Sequence, residues 1–456
     1  RHSFPTRRSS DLGQKLRKFL EAQHIYEGQI KYVDTFLDDD PEKVKNPKTK
    51  EEKAKAARCD IVDVTDMDKV KKYIVNNNVR AVINLAALLS AAADLNPDLA
   101  HKINYETPRA MMRLADELKD EKGERQIRKL QIMSSMASQE FEVLPSDSSE
   151  VKDSKLRLQQ EMTPKITFPA ESKYGKQKGS IESDARYYCT ERNMDISIPC
   201  LAGVLNAHTP WPSNGTTEEF DKLVVAAALH KVYGDDWHKK MCELIIARDG
   251  KDGIAALKNQ HYIHEVTATD GTKQIKYVPE VDGAAKFAMI DGGTLAESVL
   301  LLLHQDSRKK NADGKAVGPV HNLYEYTVRM SDAGSILKEL NPDFPLEFAD
   351  KGRDLPKAGI IENPHLMECT DPGKIKRAEI WAHGMDTSSS ESTIGKFKRY
   401  DPANDKEAMR NGQETAIRRS IRENYDRAVA FFQKMKLAES AVAVATKPDG
   451  TDRTIA

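Results

Sequence analysis

From Gly13 onward, short apolar runs of strand length alternate with segments of helical period, a pattern that points to a parallel sheet flanked by helices. KLRKFLEAQ reads as a helix, IKYVDTF as a strand with Asp34 at its carboxyl end, CDIVDV as a short strand, MDKVKKYIVNN as a helix and VRAVINLAA as a buried strand. Asn96 and Pro97 supply an N-cap and a first-turn proline for a long helix through Ala100, Met111 and Leu114. LQIMSS is the next strand, YGKQKGSIESDARYYCTE the next helix and MDISIPCLAGVLN the strand after it. The expected fold is α/β: a doubly wound parallel sheet over residues 13–205, then a smaller C-terminal region over 206–456, some of whose segments return to the sheet domain.

Four polar or Gly-containing stretches interrupt this rhythm and read as insertions or loops: Asp38 to Arg58, Gln139 to Glu171, roughly Tyr233 to Lys276, and Gln305 to Gly318. Their lysines are interspersed with acidic residues, the pattern of a solvated face. Residues 1–12, RHSFPTRRSSDL, are basic and Ser-rich without strand alternation. They read as a non-native segment, with a transit peptide as the alternative.

Across 456 residues, Lys and Arg number 70 against 71 Asp and Glu, for a net charge of -1. That balance gives no global field for nucleic acid or an anionic membrane and suits a small-molecule substrate. The longest apolar run, around Val299 to Leu303, is far below the roughly 20 residues that span a bilayer. Five scattered cysteines without a CxxC pair fit a reducing compartment: the cytoplasm, or alternatively the mitochondrial matrix.

Tyr174 and Lys178 lie four apart on a helical segment, so they share one face. A phenol titrates near ~10 in water, too high for a base at neutral pH, and a neighbouring ammonium lowers that value. The spacing alone has low specificity, because a surface Tyr/Lys pair is its ordinary reading. Ser134 and Ser135 raise it, since they end a strand where α/β proteins bind ligands. Asp34, also at a strand end and about 20 residues beyond Gly13, is placed to accept hydrogen bonds from an adenosine ribose, which favours NAD. A rival reading takes HYIHE (His261, His264, Glu265) with His230 and His238 as metal ligands, but HxxHE is not the HExxH spacing, and no metal is expected.

Together these segments resemble an extended short-chain dehydrogenase/reductase of the NAD-dependent epimerase/dehydratase group, and most closely its L-threonine 3-dehydrogenase-like branch. NLAALLSAAADLNPDLAHKIN, SSMAS and YGKQKGSIESDARYY match in order, the last with Glu182 and the Tyr187–Tyr188 pair at the family's spacing. GTTEEFDKLVVAA, HNLYEYTVRMSDAGSILKELNPDFPLEF and RAEIWAHGMDTSSSEST continue the likeness to about Lys396.

The resemblance implies a Rossmann-type fold, a C-terminal substrate domain, a homodimer through the helix carrying Tyr174, and NAD as cofactor. It implies Ser135, Tyr174 and Lys178 as catalytic residues. Gly13, Asp34, Asp60, Ile61, Leu85, Ala86, Ala87, Asn104 and Val204 would join Tyr174 and Lys178 in holding the cofactor, and Ser90, Thr217 and Trp381 would hold substrate. The implied reaction takes L-threonine to 2-amino-3-oxobutanoate. The same residues also serve a nucleotide-sugar 4-epimerase, and a third reading is a non-catalytic NAD-binding scaffold.

Three departures bear on the substrate. Cys200 stands where the family usually has Arg, SQE follows SSMA in place of an aromatic-Gly pair, and the Trp381 segment lacks its usual Pro. Only Gly13 remains of the GxxGxxG loop, and the strand before it reads as missing. Weak NAD binding is therefore expected of this chain; a tight Kd by titration calorimetry would refute it.

Overall fold

The computed structural model describes residues 32–34, 59–88, 96–139, 173–205, 218–249, 263–267, 273–279, 286–308, 318–348 and 415–445, with Ala93, Gly271 and Gly283. In chain order the elements are β1 (Tyr32–Asp34), β2 (Cys59–Ile61), α1 (Met67–Asn76), β3 (Ala81–Asn84), α2 (Pro97–His101), a π-turn (Lys102–Glu106) and α3 (Thr107–Glu117). They continue with β4 (Lys129–Ile132), β5 (Ser134–Ser135), α4 (Lys173–Thr190), β6 (Ile196–Leu201), β7 (Gly203–Leu205), α5 (Glu218–Tyr233) and α6 (Trp237–Asp249). After these come β8 (Ile263–Thr267), β9 (Lys273–Tyr277), β10 (Lys286–Asp291), α7 (Gly292–His304), β11 (Val320–Leu323), β12 (Tyr326–Arg329), α8 (Met330–Leu340) and α9 (Ala416–Ala445).

The described residues fall into two compact units, bounded as Arg1–Thr216 with Ala288–Thr327 and Ile380–Tyr400, and as Thr217–Phe287 with Val328–Glu379 and Asp401–Ala456. In the first unit a parallel sheet runs in the order β11-β6-β4-β3, with β5 also pairing β6. β1 pairs β2 and β7 pairs β10, both in parallel. Strands adjacent in space but distant in sequence need crossover connections, which the helices supply. This is the expected α/β, Rossmann-like architecture.

Side-chain alternation explains how both faces of the sheet are covered. Leu130, Ile132 and Ser134 point one way, and Ser134 bonds Glu182 of α4. Gln131 points the other way, and its Nε2 donates to the Val299 carbonyl of α7 at 2.8 Å. On the α4 face, Leu130, Ile132, Ile181, Ala185 and Ile196 are buried together.

The α7 face carries a polar stripe. Lys129 Nζ donates to Asp195 Oδ1 at 2.7 Å and to the Gln305 carbonyl at 2.5 Å, and the Ser197 and Ser307 hydroxyls stand 2.9 Å apart. His321 of β11 is also fully buried, with neither ring nitrogen hydrogen-bonded.

Local sequence sets the helix starts. Asp66 accepts from Lys69 N at 3.1 Å to open α1, and Asp291 accepts from Gly293 N at 2.8 Å to open α7. The helix beginning at Asn96 and Pro97 is interrupted by the π-turn at Lys102–Glu106, which the apolar period does not foretell. Gly203 lets β7 and β10 approach closely: a Cβ there would fall 2.6 Å from Met289 Sδ and 3.1 Å from the Ala288 carbonyl oxygen, so the Met289 side chain would have to shift.

In the second unit, the stretch from Tyr233 to Lys276 corrects its reading as a loop: it contains α6 and the antiparallel hairpin β8-β9. Its charged composition hides the anchor. Trp237 is buried and meets Tyr277 and Phe344 edge-on, with ring centroids 6.1 and 6.2 Å away. The other three stretches read as loops or insertions lie wholly or largely outside the described residues, as do KLRKFLEAQ and the segment before it.

Burial holds His321 near a pKa of about 3, with the Lys129 charge pushing the same way. Its ordinary value is 6.5, so below that pH the unfolded chain takes up a proton that the folded chain refuses. The stability at stake is complete above pH 6.5 and is lost as the pH falls toward 3. Between pH 7 and 4 the loss is on the order of 3 kcal/mol. Guanidinium midpoints across that range should show it, and His321→Leu should flatten the dependence; equal slopes in the two proteins would refute it.

Candidate active site

The site forms where β4 gives way to β5. Ile132 ends β4 and Ser134 begins β5, and between them the Met133 carbonyl accepts a hydrogen bond from Lys178 Nζ at 2.8 Å. Lys178 is buried, and its ammonium lies 5.7 Å from the centre of the Tyr174 ring one turn earlier on α4. Tyr174 is buried too, packed with Ala93, Ala100, Ala137 and Leu88. Both side chains therefore leave the solvated surface that a bare Tyr/Lys spacing would suggest.

Ser135, half-buried at the end of β5, accepts from Ala137 N at 3.3 Å. That bond starts the short 3-10 turn Met136–Gln139. The structure thus brings Ser135, Tyr174 and Lys178 to one corner of the first unit, on the strand end and helix where the sequence puts them.

A second layer lies beneath. Glu182, one turn beyond Lys178, accepts at Oε1 from Ser134 Oγ at 2.5 Å and from Ser138 Oγ at 2.6 Å. Burial raises its carboxyl above the usual range, while the two serine donors and the Arg186 and Lys178 charges pull against that rise. Cys200 of β6 lies 3.9 Å from Ser138 Oγ, and burial pushes its thiol well up, so it is no nucleophile.

The residues expected around a cofactor fall into three groups. Asp34 ends β1 beside Ile61 in register, and Asp60 is exposed and accepts from Tyr73 Oη at 2.6 Å. Leu85, Ala86 and Ala87 follow β3, with Ala86 N donating to Asn84 Oδ1 at 3.0 Å. Val204 is half-buried in β7 beside Ile290. Gly13, Ser90, Thr217 and Trp381 lie outside the described residues.

Asn104, expected beside the cofactor, spends its amide on protein. Its Oδ1 accepts from Leu88 N at 2.7 Å, and its Nδ2 donates to the Leu88 carbonyl at 2.9 Å and to Gln177 Oε1 at 3.1 Å. It ties the segment after β3 to the helix of Tyr174. Asn84 escaped sequence reasoning altogether. Buried at the carboxyl end of β3, its Nδ2 has no hydrogen-bond partner.

An orphaned donor at a strand's carboxyl end is what a dinucleotide in a doubly wound sheet would satisfy. With Asp34 at the carboxyl end of β1 and Lys178 reaching from α4 to the break between β4 and β5, the described residues fit such a cofactor. Among the described residues no three His, Cys, Asp or Glu side chains converge as metal ligands, and no helix is long and apolar enough to cross a membrane. His230 is half-buried, its Nδ1 3.1 Å from Asn341 Nδ2.

Residues 30–252 match the model of the NAD dependent epimerase/dehydratase family. No curated protein matches the chain. Among solved structures, the chain is similar to L-threonine 3-dehydrogenase from Trypanosoma brucei at a TM-score of 0.56 and 15% identity, over 89% of this chain and 96% of that one. L-threonine dehydrogenase from Clostridium difficile aligns at 0.55 and 17%, over 92% and 96%; that from Phytophthora infestans at 0.54 and 16%, over 93% and 97%. At these identities the likeness speaks to the fold.

Asn104→Ala should leave the Leu88 N–H and carbonyl without their partner, costing about 1–3 kcal/mol. A urea denaturation midpoint identical to that of the parent protein would refute that role.

Proposed function

Because residues 30–252 make up a domain of the NAD-dependent epimerase/dehydratase family, we propose that the chain oxidises a secondary alcohol of a small amino or hydroxy acid through Ser135, Tyr174 and Lys178. L-threonine, giving 2-amino-3-oxobutanoate, is the substrate we favour. The observation that carries the reading is the buried Lys178 ammonium, fixed on the Met133 carbonyl and 5.7 Å from the Tyr174 ring. A surface pair would not bear the cost of burying a charge.

When bound, NAD supplies the acceptor for the hydride leaving the alcohol carbon. Tyr174, as phenolate, takes the hydroxyl proton. Lys178 favours that phenolate by its positive charge, and its hydrogen bond to Met133 keeps it in place. The Ser135 hydroxyl donates to the reacting oxygen as the alcohol becomes a carbonyl. We propose Asp34, at the end of β1, as the acceptor for the adenosine ribose, and Asn84 Nδ2, a buried donor without a partner, as a donor to the ribose and phosphate side. We further propose Asp60, Ile61, Leu85 to Ala87 and Val204 as cofactor contacts, Ser90, Thr217 and Trp381 as substrate contacts, and a homodimer in the cytoplasm.

The threonine assignment draws on the GTTEEF and PDFPLEF segments and on the fold shared with the threonine dehydrogenases. A nucleotide-sugar 4-epimerase would use the same three residues and return the hydride. One assay separates the two: the full chain with saturating NAD and either L-threonine or a UDP-hexose, followed at the NADH absorbance. NADH accumulating with threonine supports the proposal, and sugar interconversion without net NADH overturns it. Tyr174→Phe should lower turnover by about 10³-fold or more, since it removes the base; full activity in that variant would sink the mechanism.

A further inference from the structure

The proposed chemistry needs the Ser135 hydroxyl and the Tyr174 phenol to converge on one oxygen, yet they sit on different elements. Ser135 ends a two-residue strand, and Tyr174 begins a long helix. Two residues of ladder hold Ser135 to β6 through the Ser134–Cys200 and Ser135–Leu201 pairs. Beyond Ser135 the chain enters a single 3-10 turn and then leaves the described residues. A strand this short fixes register along β6 but leaves its separation from α4 to be set by side chains.

Glu182 supplies that link. It is 4% exposed, and one oxygen of its carboxyl accepts from the serines on either side of the Ser135 turn, Ser134 at 2.5 Å and Ser138 at 2.6 Å. Both serines are buried, at 2% and 6% exposure. Glu182 lies eight residues beyond Tyr174 and four beyond Lys178, so it stays near their face of the helix. The groups around the carboxyl are Ser134, Ser138, Cys200, Arg186 and Lys178. The two cations offset part of the cost of burying it.

We propose, resting on the dehydrogenase reading above, that Glu182 is a positioning residue: by clamping Ser134 and Ser138 onto α4 it sets where the Ser135 hydroxyl stands relative to Tyr174. It touches no reacting atom. A Gln in its place keeps the length and an acceptor for one serine, while its amide can donate to the oxygen of the other. An Ala removes the clamp. The clamp therefore predicts rescue by Gln, whereas a role resting on the carboxylate charge predicts none.

The test compares the parent chain with Glu182→Ala and Glu182→Gln by three readings: turnover of L-threonine with NAD, the KM for NAD, and hydrogen exchange of the peptide covering 133–139 in the protein alone. Glu182→Ala should lower kcat about 100-fold with KM for NAD within twofold, and exchange in 133–139 should rise at least about tenfold. Glu182→Gln should stay within about fivefold of the parent in kcat and threefold in exchange.

The proposal is overturned if Glu182→Ala leaves kcat and exchange within twofold. It is equally overturned if Glu182→Gln loses as much turnover as Ala while its exchange stays parental. If the parent chain itself does not oxidise threonine, the substrate reading fails, and the exchange measurement still decides the clamp.

Discussion

Burying the Lys178 ammonium dictates much of the architecture around the site. A charge withdrawn from water is costly unless its donors find acceptors. Within the sheet, backbone carbonyls are committed to neighbouring strands, so an acceptor must be released from the ladder. Met133 does this: the strand breaks at that one residue, and its carbonyl is left for Lys178 at 2.8 Å. The break turns β4, paired with β3 and β6, into β5, paired with β6, and presents Ser135 at the strand end. The buried lysine thus brings together the helix of Tyr174, the end of the central strand and the serine.

Around that contact the polar groups under α4 are arranged in pairs. Glu182 holds Ser134 and Ser138, and Asn104 holds Leu88 and Gln177. Each ties a loop at the carboxyl ends of the strands to a helix, so the loops that would face a ligand are anchored from beneath. Asn84 Nδ2 stands apart as a buried donor with no partner. On the other face of the sheet the buried polar stripe is largely satisfied by carbonyls of α7 and the chain just after it, with Gln131 Oε1 and the His321 ring as exceptions.

The parallel sheet was legible because its strands are short apolar runs between helices of clear period. Tyr174, Lys178 and Ser135 were legible because a helical spacing and a strand end are local properties. Asn84 and Ser138 were not. Asn84 gave no local signal within a strand, and Ser138 reads as a turn residue until α4 is packed on it. Asn104 was found but its three bonds to protein were not, since they reach residues 16 and 73 positions away. α6 and the β8-β9 hairpin were missed because their surface charge masks a core made by Trp237, Tyr277 and Phe344, which meet only after folding.

By itself the sequence determined the fold class, the helix bearing Tyr174 and Lys178 and the strand ending in Ser135, because backbone period and capping act over a few residues. Tertiary structure decided that Lys178 is buried on Met133, that Glu182 joins two serines across the strand turn, and that Asn104 ties Leu88 to Gln177. Hydrogen bonds and burial between residues dozens of positions apart depend on which surfaces meet. No local spacing encodes that meeting.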